Sequence, residues 1–333
     1  MKNVEHSRSD GLRLIVVGCG FMGRLHARAI EESDNAVLCG LVDQNRQVAE
    51  SVKSEFSAPS FSNLHDAISS TEPDGAVIAT PDPFHREPAE TAIKAGLAVL
   101  VEKPLATSVS DAEHIVKLAA DRKVPLMTGH IRRFHMRYWK LAEVVSSGRL
   151  GRPLMVTTGT WGLKSLGKRV ADSTNPLWHF AIHDIDTIQW LTGSTIATVD
   201  GANFTESSTG ASIFAALGTL TGNIGFQMAA GWTLPDSGMP KFDVKVHCEY
   251  GVAETVVPSD GVAIFGPDRI DYPDCQGWPS IYGTIGGALQ REVEHFIDGV
   301  RNNKPFVISP EEAVAAVRAA AMIQQLSVQR KVV

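Results

Sequence analysis

The chain has 333 residues, 44% of them hydrophobic and 20% charged, with 31 Lys+Arg against 37 Asp+Glu for a formal charge of −6. That balance excludes a disordered segment, which pairs low hydrophobicity with high net charge, and a general phosphate-backbone binder, which carries a clustered Lys/Arg excess. At roughly 100–200 residues per domain, the length predicts two domains.

The first eleven residues, MKNVEHSRSDG, are polar. They are expected to be a frayed leader. No later run reaches the roughly 18 apolar residues that a membrane span needs. Cys19, Cys39, Cys248 and Cys275 are scattered without a Cys-x-x-Cys pair, so neither a disulfide framework nor a cysteine zinc site is expected. A soluble cytoplasmic protein without nucleic-acid or membrane partners is the expectation.

From Leu12 to Gly129, short apolar runs alternate with amphipathic stretches, the pattern of βαβ units and a parallel sheet. Strands are predicted at Leu12–Gly18, Ala36–Asp43, Gly75–Thr80, Leu97–Glu102 and Pro125–Gly129. Helices are predicted at Gly23–Glu32, His85–Ala95 and Ser108–Arg122, the last opened by Ser108 and Asp111 at capping spacing. Residues 12–130 therefore read as a doubly wound α/β dinucleotide-binding domain. A helix over His135–Ser147 follows, and the pattern then changes. The runs LMVTTGTW, IATVDGANF, ASIFAAL, NIGFQMAAGW and FDVKVHCEYG lack crossover helices between most of them, which predicts mainly antiparallel pairing. One helix, Trp178–Leu191, interrupts the series. Helices near Ile285–Asn302 and Pro310–Val328 close the chain, the second led by Ser309-Pro310. Residues 131–333 read as an α+β second domain.

Gly18-Cys19-Gly20-Phe21-Met22-Gly23 directly follows the first strand and opens the first helix. Gly18 permits the tight turn, Gly20 lets backbone approach a pyrophosphate, and Gly23 lets helix and strand pack closely. Phe21 and Met22 lie in the same turn. Asp43 ends the second strand twenty positions later, where an acid hydrogen-bonds an adenosine ribose and repels a 2′-phosphate. NAD is therefore expected; Arg46, placed to pair with a 2′-phosphate, keeps NADP as the alternative.

Glu102-Lys103-Pro104 and Thr80-Pro81-Asp82-Pro83-Phe84-His85 both stand at carboxyl ends of predicted strands, the edge where open α/β sheets bind ligands. Lysine in a partly desolvated site can exchange a proton with a substrate hydroxyl. A surface lysine paired with Glu102 is the alternative. On the helix Trp178–Leu191, His179, His183 and Asp186 fall on one face and Ile182, Ile185 and Ile188 on another, which suggests a site wall. Two histidines at this spacing can hold zinc, but the glutamate of His-Glu-x-x-His is absent, so no metal is expected. Tryptophans such as Trp161 stack on sugars or fill cores.

These segments, together with GHIRRF, HDIDTIQWLTG and the closing ALQREVEHFIDGVRNNKPFVISPEEA, resemble the glucose-fructose oxidoreductase / inositol dehydrogenase / rhizopine-catabolism family along almost the whole chain. The resemblance implies a Rossmann domain and a large open-sheet domain that binds substrate and oligomerises, with the C-terminal helix packing back on the first domain. It implies Lys103 as the proton-transferring residue with His183 as its partner. It adds Thr80, Pro81, His85 and Glu102 to the NAD site, with His85 alternatively a helix-start residue satisfied by backbone. It adds His179, Asp186, Arg133 and Trp161 to the substrate site, with Asp186 alternatively standing behind the substrate contacts and Arg133 alternatively bracing the domain interface. One position departs: relatives commonly carry Asp four residues before the paired histidine, where this chain has His179. The function implied is interconversion of a secondary hydroxyl and a ketone on a pyranose, anhydro-sugar or cyclitol, by a homodimer or homotetramer. The alternatives are redox-neutral glycoside cleavage and a non-catalytic nucleotide sensor.

Overall fold

A computed structural model describes residues 11–208, 210–257, 264–265, 270–271 and 277–332. The leader 1–10 and Cys275 lie outside the described residues. The apolar runs of the first half pair into a six-stranded parallel sheet in the order β3-β2-β1-β4-β5-β6. Its strands are β1 (Leu12–Val17), β2 (Ala36–Val42), β3 (Ser60–Phe61), β4 (Gly75–Ile78), β5 (Ala98–Glu102) and β6 (Leu126–Gly129). Helices cover both faces, which is why the strands are apolar throughout rather than alternating. The crossovers are α1 (Phe21–Glu31), α2 (Arg46–Val52), α3 (Leu64–Thr71), α4 (Arg86–Lys94) and α5 (Val109–Arg122). The short α2, α3 and β3 were not visible in the hydrophobic pattern, being too brief to show a period. Ser108 caps α5 as expected, accepting the Asp111 N–H at 3.1 Å.

A bend through Ile131–Phe134 leads to α6 (Met136–Ser146) and a seven-stranded sheet ordered β12-β11-β7-β10-β9-β8-β17. Its strands are β7 (Pro153–Leu163), β8 (Ile196–Ser207), β9 (Ser212–Leu220), β10 (Ile224–Leu234), β11 (Lys241–Cys248), β12 (Gly251–Val257) and β17 (Ser327–Val332). Two short hairpin pairs, β13–β14 (Ile264–Phe265 with Ile270–Asp271) and β15–β16 (Ser280–Ile281 with Thr284–Ile285), complete the β structure described. Pairing in the large sheet is antiparallel except at β7–β10 and β8–β17. One face packs on α8 (Ile182–Thr192), with Val156, Phe226, Met228 and Val246 buried beneath it. The other carries Ile213, Leu217, Gln227 and Ala229 by strand alternation, and Leu217 is 51% exposed.

The helix expected as Trp178–Leu191 begins instead as a π-helical turn, Leu177–Ala181, before α8 proper. The short α7 (Lys164–Val170) precedes it. Helix α9 (Gly287–Asn302) returns to the first sheet, where Val293, Phe296 and Ile297 join Leu14, Val16 and Leu100 in one core. Helix α10 (Pro310–Leu326) starts with the Ser309–Glu312 capping box and packs on α5 and α8. It stops at Leu326 rather than Val328, because the chain then turns extended and adds β17 alongside β8.

Two buried ion pairs bind the bend after β6 to α8. Arg132 Nη1 donates to Asp184 Oδ1 at 2.6 Å, and Arg133 grips both oxygens of Asp186 at 2.7 and 3.1 Å. Arg133 also reaches Glu312 of the α10 cap at 2.9 Å. Removing one partner of a buried pair strands the other charge. Arg133→Met is therefore expected to destabilise the protein by about 3–5 kcal/mol in urea unfolding, with Arg133→Met/Asp186→Leu recovering part of the loss.

Candidate active site

The carboxyl edge of the parallel sheet gathers the glycine turn, Asp43, Thr80 and Lys103. Gly18 holds φ +90°, and a Cβ there would stand 2.6 Å from the Ala79 carbonyl oxygen. A Cβ on Gly23 would meet the Gly18 oxygen at 1.8 Å, whereas one on Gly20 would meet nothing within 4 Å. The first and third glycines thus serve turn and packing, and the second leaves an open cradle at the α1 N-terminus. No acidic side chain stands in the first turn of α1, so that end suits a diphosphate. Asp43 Oδ2 accepts the Cys19 N–H at 2.9 Å and Oδ1 the Asn45 N–H at 2.8 Å. Each oxygen retains acceptor capacity for ribose hydroxyls. Phe21 is 59% exposed beside the turn, edge-on to Trp278, and Met22 is part-buried. Arg46 is exposed at the start of α2. Burial, with the Asp43 charge, pushes the Cys19 thiol up to about 12, leaving it a protonated packing residue.

Lys103 projects from the end of β5. Its ammonium donates to the His179 carbonyl at 3.2 Å rather than pairing with Glu102. The Lys103–Pro104 peptide is cis. Burial, then the Lys103 charge, pushes the His179 imidazole down to about 3 and holds His183 well below its usual range. Both rings are therefore neutral, and both Nδ1 atoms are buried without a partner in the protein. Asp82, in the turn Asp82–Phe84, acts on His179 through its charge and has a buried Oδ2 without a partner among the described residues. Beside them opens a cavity of about 420 Å³, lined by Pro83, Thr107, Thr174, Asn175, Trp178 and Gln324.

Several expected site residues are placed otherwise. His85 is 1% exposed, its ring nitrogens at 2.6 Å from the Pro104 oxygen and 2.8 Å from the Thr80 oxygen. It ties two strand-end loops together, so its link to a cofactor is indirect. Thr80 Oγ1 donates to the Phe84 oxygen at 3.0 Å, shaping the loop whose exposed Pro81 borders the edge. Glu102 is buried against His26. Arg133 and Asp186 consume each other in the ion pair above; burial alone would push the Asp186 carboxyl up, but His130 and Arg133 hold it low. Trp161 alternates with Thr160, which bonds Asp184 on the α8 side at 3.0 Å. Its indole therefore lies on the far face of the sheet, near Asp243 across Gly159. Asp82 was missed as a site residue, although it sits inside the quoted TPDPFH segment. Trp232, whose ring lies 6.0 Å from that of His179, was grouped only with the other tryptophans.

Residues 12–130 match the oxidoreductase family with the NAD-binding Rossmann fold, and residues 138–254 match the GFO/IDH/MocA C-terminal domain. The chain belongs to the GFO/IDH/MocA family. It is 31% identical over 195 residues to the inositol 2-dehydrogenase of Corynebacterium glutamicum (strain R), covering 58% of this chain and 57% of that relative, little over half its length. It is 25% identical over 332 residues, 94% of each chain, to the rhizopine catabolism protein MocA of Rhizobium meliloti. The solved structure of scyllo-inositol dehydrogenase from Lactobacillus casei, with NAD(H) and scyllo-inositol bound, superposes with a TM-score of 0.81 at 21% identity, over 96% of this chain and 97% of that one. At that identity the likeness carries the fold.

In this GFO/IDH/MocA protein the open space at Gly20 makes a clean test of the cradle. Gly20→Val is expected to leave the thermal midpoint unchanged and to weaken dinucleotide binding by about tenfold or more in calorimetry, because the new side chain fills the diphosphate position. The depressed histidines set a pH dependence of stability. The unfolded chain binds their protons near pH 6.5 and the folded chain does not, so the stability they contribute is complete above about 6.5 and is lost as pH falls toward their folded values. Unfolding free energy is expected to fall by up to about 1.4 kcal/mol per pH unit per histidine between pH 6.5 and 5. His179→Asn flattens that slope in urea titrations across the window.

Proposed function

We propose that this chain is an NAD-dependent oxidoreductase interconverting a secondary hydroxyl and a ketone on a cyclitol or sugar. The observation that carries the reading is Lys103. Its ammonium stands at the dinucleotide edge of the sheet, 3.2 Å from the His179 carbonyl, facing two imidazoles held neutral. NAD, when bound, accepts the hydride. Lys103, in its neutral form, takes the hydroxyl proton, and as a cation it steadies the developing alkoxide. His183 hydrogen-bonds the same oxygen through a neutral ring nitrogen, fixing the carbon toward the cofactor side. Asp43 orients the ribose and selects NAD over NADP.

His179 stands where relatives carry a carboxylate, and the Asp82 charge acts on it. In this reading Asp82 supplies the acceptor for a neighbouring hydroxyl. The adjoining cavity is lined by hydroxyl, amide and apolar groups without a charged side chain, which suits a neutral polyol. Residues 12–130 then serve as the dinucleotide domain and residues 131–333 as the substrate and oligomerisation domain. Cys19, Cys39 and Cys248 are free and buried, and we place the protein in the reducing cytoplasm. No helix among the described residues is long and apolar enough to cross a membrane.

The test is NADH formation across free sugars, anhydro-sugars, cyclitols and nucleotide sugars. Lys103→Ala is expected to lower kcat by about a thousandfold while NAD binding in calorimetry is retained; near-normal turnover in that variant overturns the assignment. The half-exposed face around Ile213 and Leu217 leads to a second expectation. The protein pairs through this sheet face, and Leu217→Lys shifts the mass seen by light scattering toward monomer.

A further inference from the structure

Behind Lys103 lies a buried group that the mechanism above does not use. Glu292 on α9 is 0% exposed, as is His26 on α1, and Glu102 is 6% exposed. Ligand atoms of the three residues lie within 4.8 Å of one another. His26 Nε2 stands 2.8 Å from Glu102 Oε1, and Glu102 Oε2 accepts the backbone N–H of Lys103 at 3.2 Å. Neither Glu292 oxygen has a hydrogen-bond partner in the protein.

An ionised carboxylate in such a place loses its hydration without compensation, at a cost larger than that of keeping its proton. A protonated carboxyl has one O–H to donate, and the Glu102 carboxylate, with a ligand oxygen within 4.8 Å, is an acceptor of opposite need. We propose that Glu292 keeps its proton at neutral pH and donates a hydrogen bond through its O–H to Glu102, closing a Glu292–Glu102–His26 cluster that positions Lys103. Burial, then the Glu102 charge, push the Glu292 acid well above its ordinary range. Burial also pushes Glu102 up, but His26, Lys103 and His85 hold it below the usual value. The two carboxyls therefore divide into one acid and one anion, as adjacent like charges require. Arg132 and Arg133, on the bend packed against α9, are engaged with Asp184 and Asp186.

A metal ion is the competing occupant of one histidine and two glutamates. Two tetrahedral zinc ligands at about 2.0–2.1 Å from the ion stand about 3.3 Å apart. The 2.8 Å between His26 and Glu102 is instead hydrogen-bond spacing. The role assigned is positioning. Glu292 touches neither substrate nor cofactor, and acts through Glu102 on the backbone of Lys103.

The positioning role rests on the proposed dehydrogenase reading; the protonation of Glu292 does not. The infrared spectrum of the parent protein at neutral pH is expected to show a protonated-carboxyl stretch that Glu292→Gln removes, and metal analysis of the purified protein to find no stoichiometric divalent ion. Glu292→Leu, folded by circular dichroism, is expected to lower kcat about tenfold with KM little changed, the loss of one charge-assisted hydrogen bond. Glu292→Gln, whose amide can donate in the same place, restores kcat to within about threefold of the parent. Absence of the carboxyl band, a bound stoichiometric metal, or a folded Glu292→Gln no better than Glu292→Leu overturns the proposal. Should no substrate be turned over, the dehydrogenase reading fails while the infrared and metal measurements still decide the state of Glu292.

Discussion

The pairing of Arg132 with Asp184 and Arg133 with Asp186 determines where the rest of the site can stand. His183 lies directly before Asp184 on α8, and the two arginines belong to the bend that leaves the parallel sheet at β6. Charges buried this deeply tolerate little misalignment, since a displaced partner leaves an uncompensated ion. The pairs therefore hold α8 in one position relative to β5 and β6. That position brings the imidazoles of His179 and His183 to Lys103. Arg132 adds stacking on Tyr138, 5.3 Å from the ring centre, and Arg133 on Trp190 at 5.6 Å.

Desolvation then sorts the charges of the cleft. The histidines are neutral because burial and Lys103 both oppose a second positive charge. A neutral imidazole keeps an acceptor nitrogen for a substrate hydroxyl, which an imidazolium lacks. The Lys103 ammonium thus stands beside two neutral rings, its Nζ donating to the His179 carbonyl. Beneath it, Glu102 is held by His26 and tied to the Lys103 backbone, so the strand end is anchored from inside while its side chain faces the cleft.

The parallel sheet, its glycine turn and the acid after β2 were legible in the chain because each is a local signal: apolar runs, a turn that only glycine tolerates, and a carboxyl at a strand end. The strand end that carries Lys103 and the helix that carries His183 were legible through the segments around them. The expected site residues whose side chains are engaged within the protein share one cause. His85, Glu102, Arg133 and Asp186 are polar residues in site-like segments, and polarity alone does not tell a ligand contact from a buried pair. Trp161 failed on register, since one step along β7 sends a side chain to the opposite face. The α8 face failed in part because the chain enters it through a π-helical turn, which takes more residues per turn than the assumed period.

By itself the sequence determined the dinucleotide half and the mainly antiparallel second half, because these follow from period, turn chemistry and residue type within short windows. Only the tertiary structure decided which polar groups meet. The charge of Asp82 in the first half acts on His179 in the second, and Glu292 comes within 4.8 Å of Glu102 across 190 positions of chain from 102 to 292. Such encounters depend on how α8 and α9 pack against the parallel sheet, and on the cost of burying charge, which selects the pairings that leave the fewest ions uncompensated.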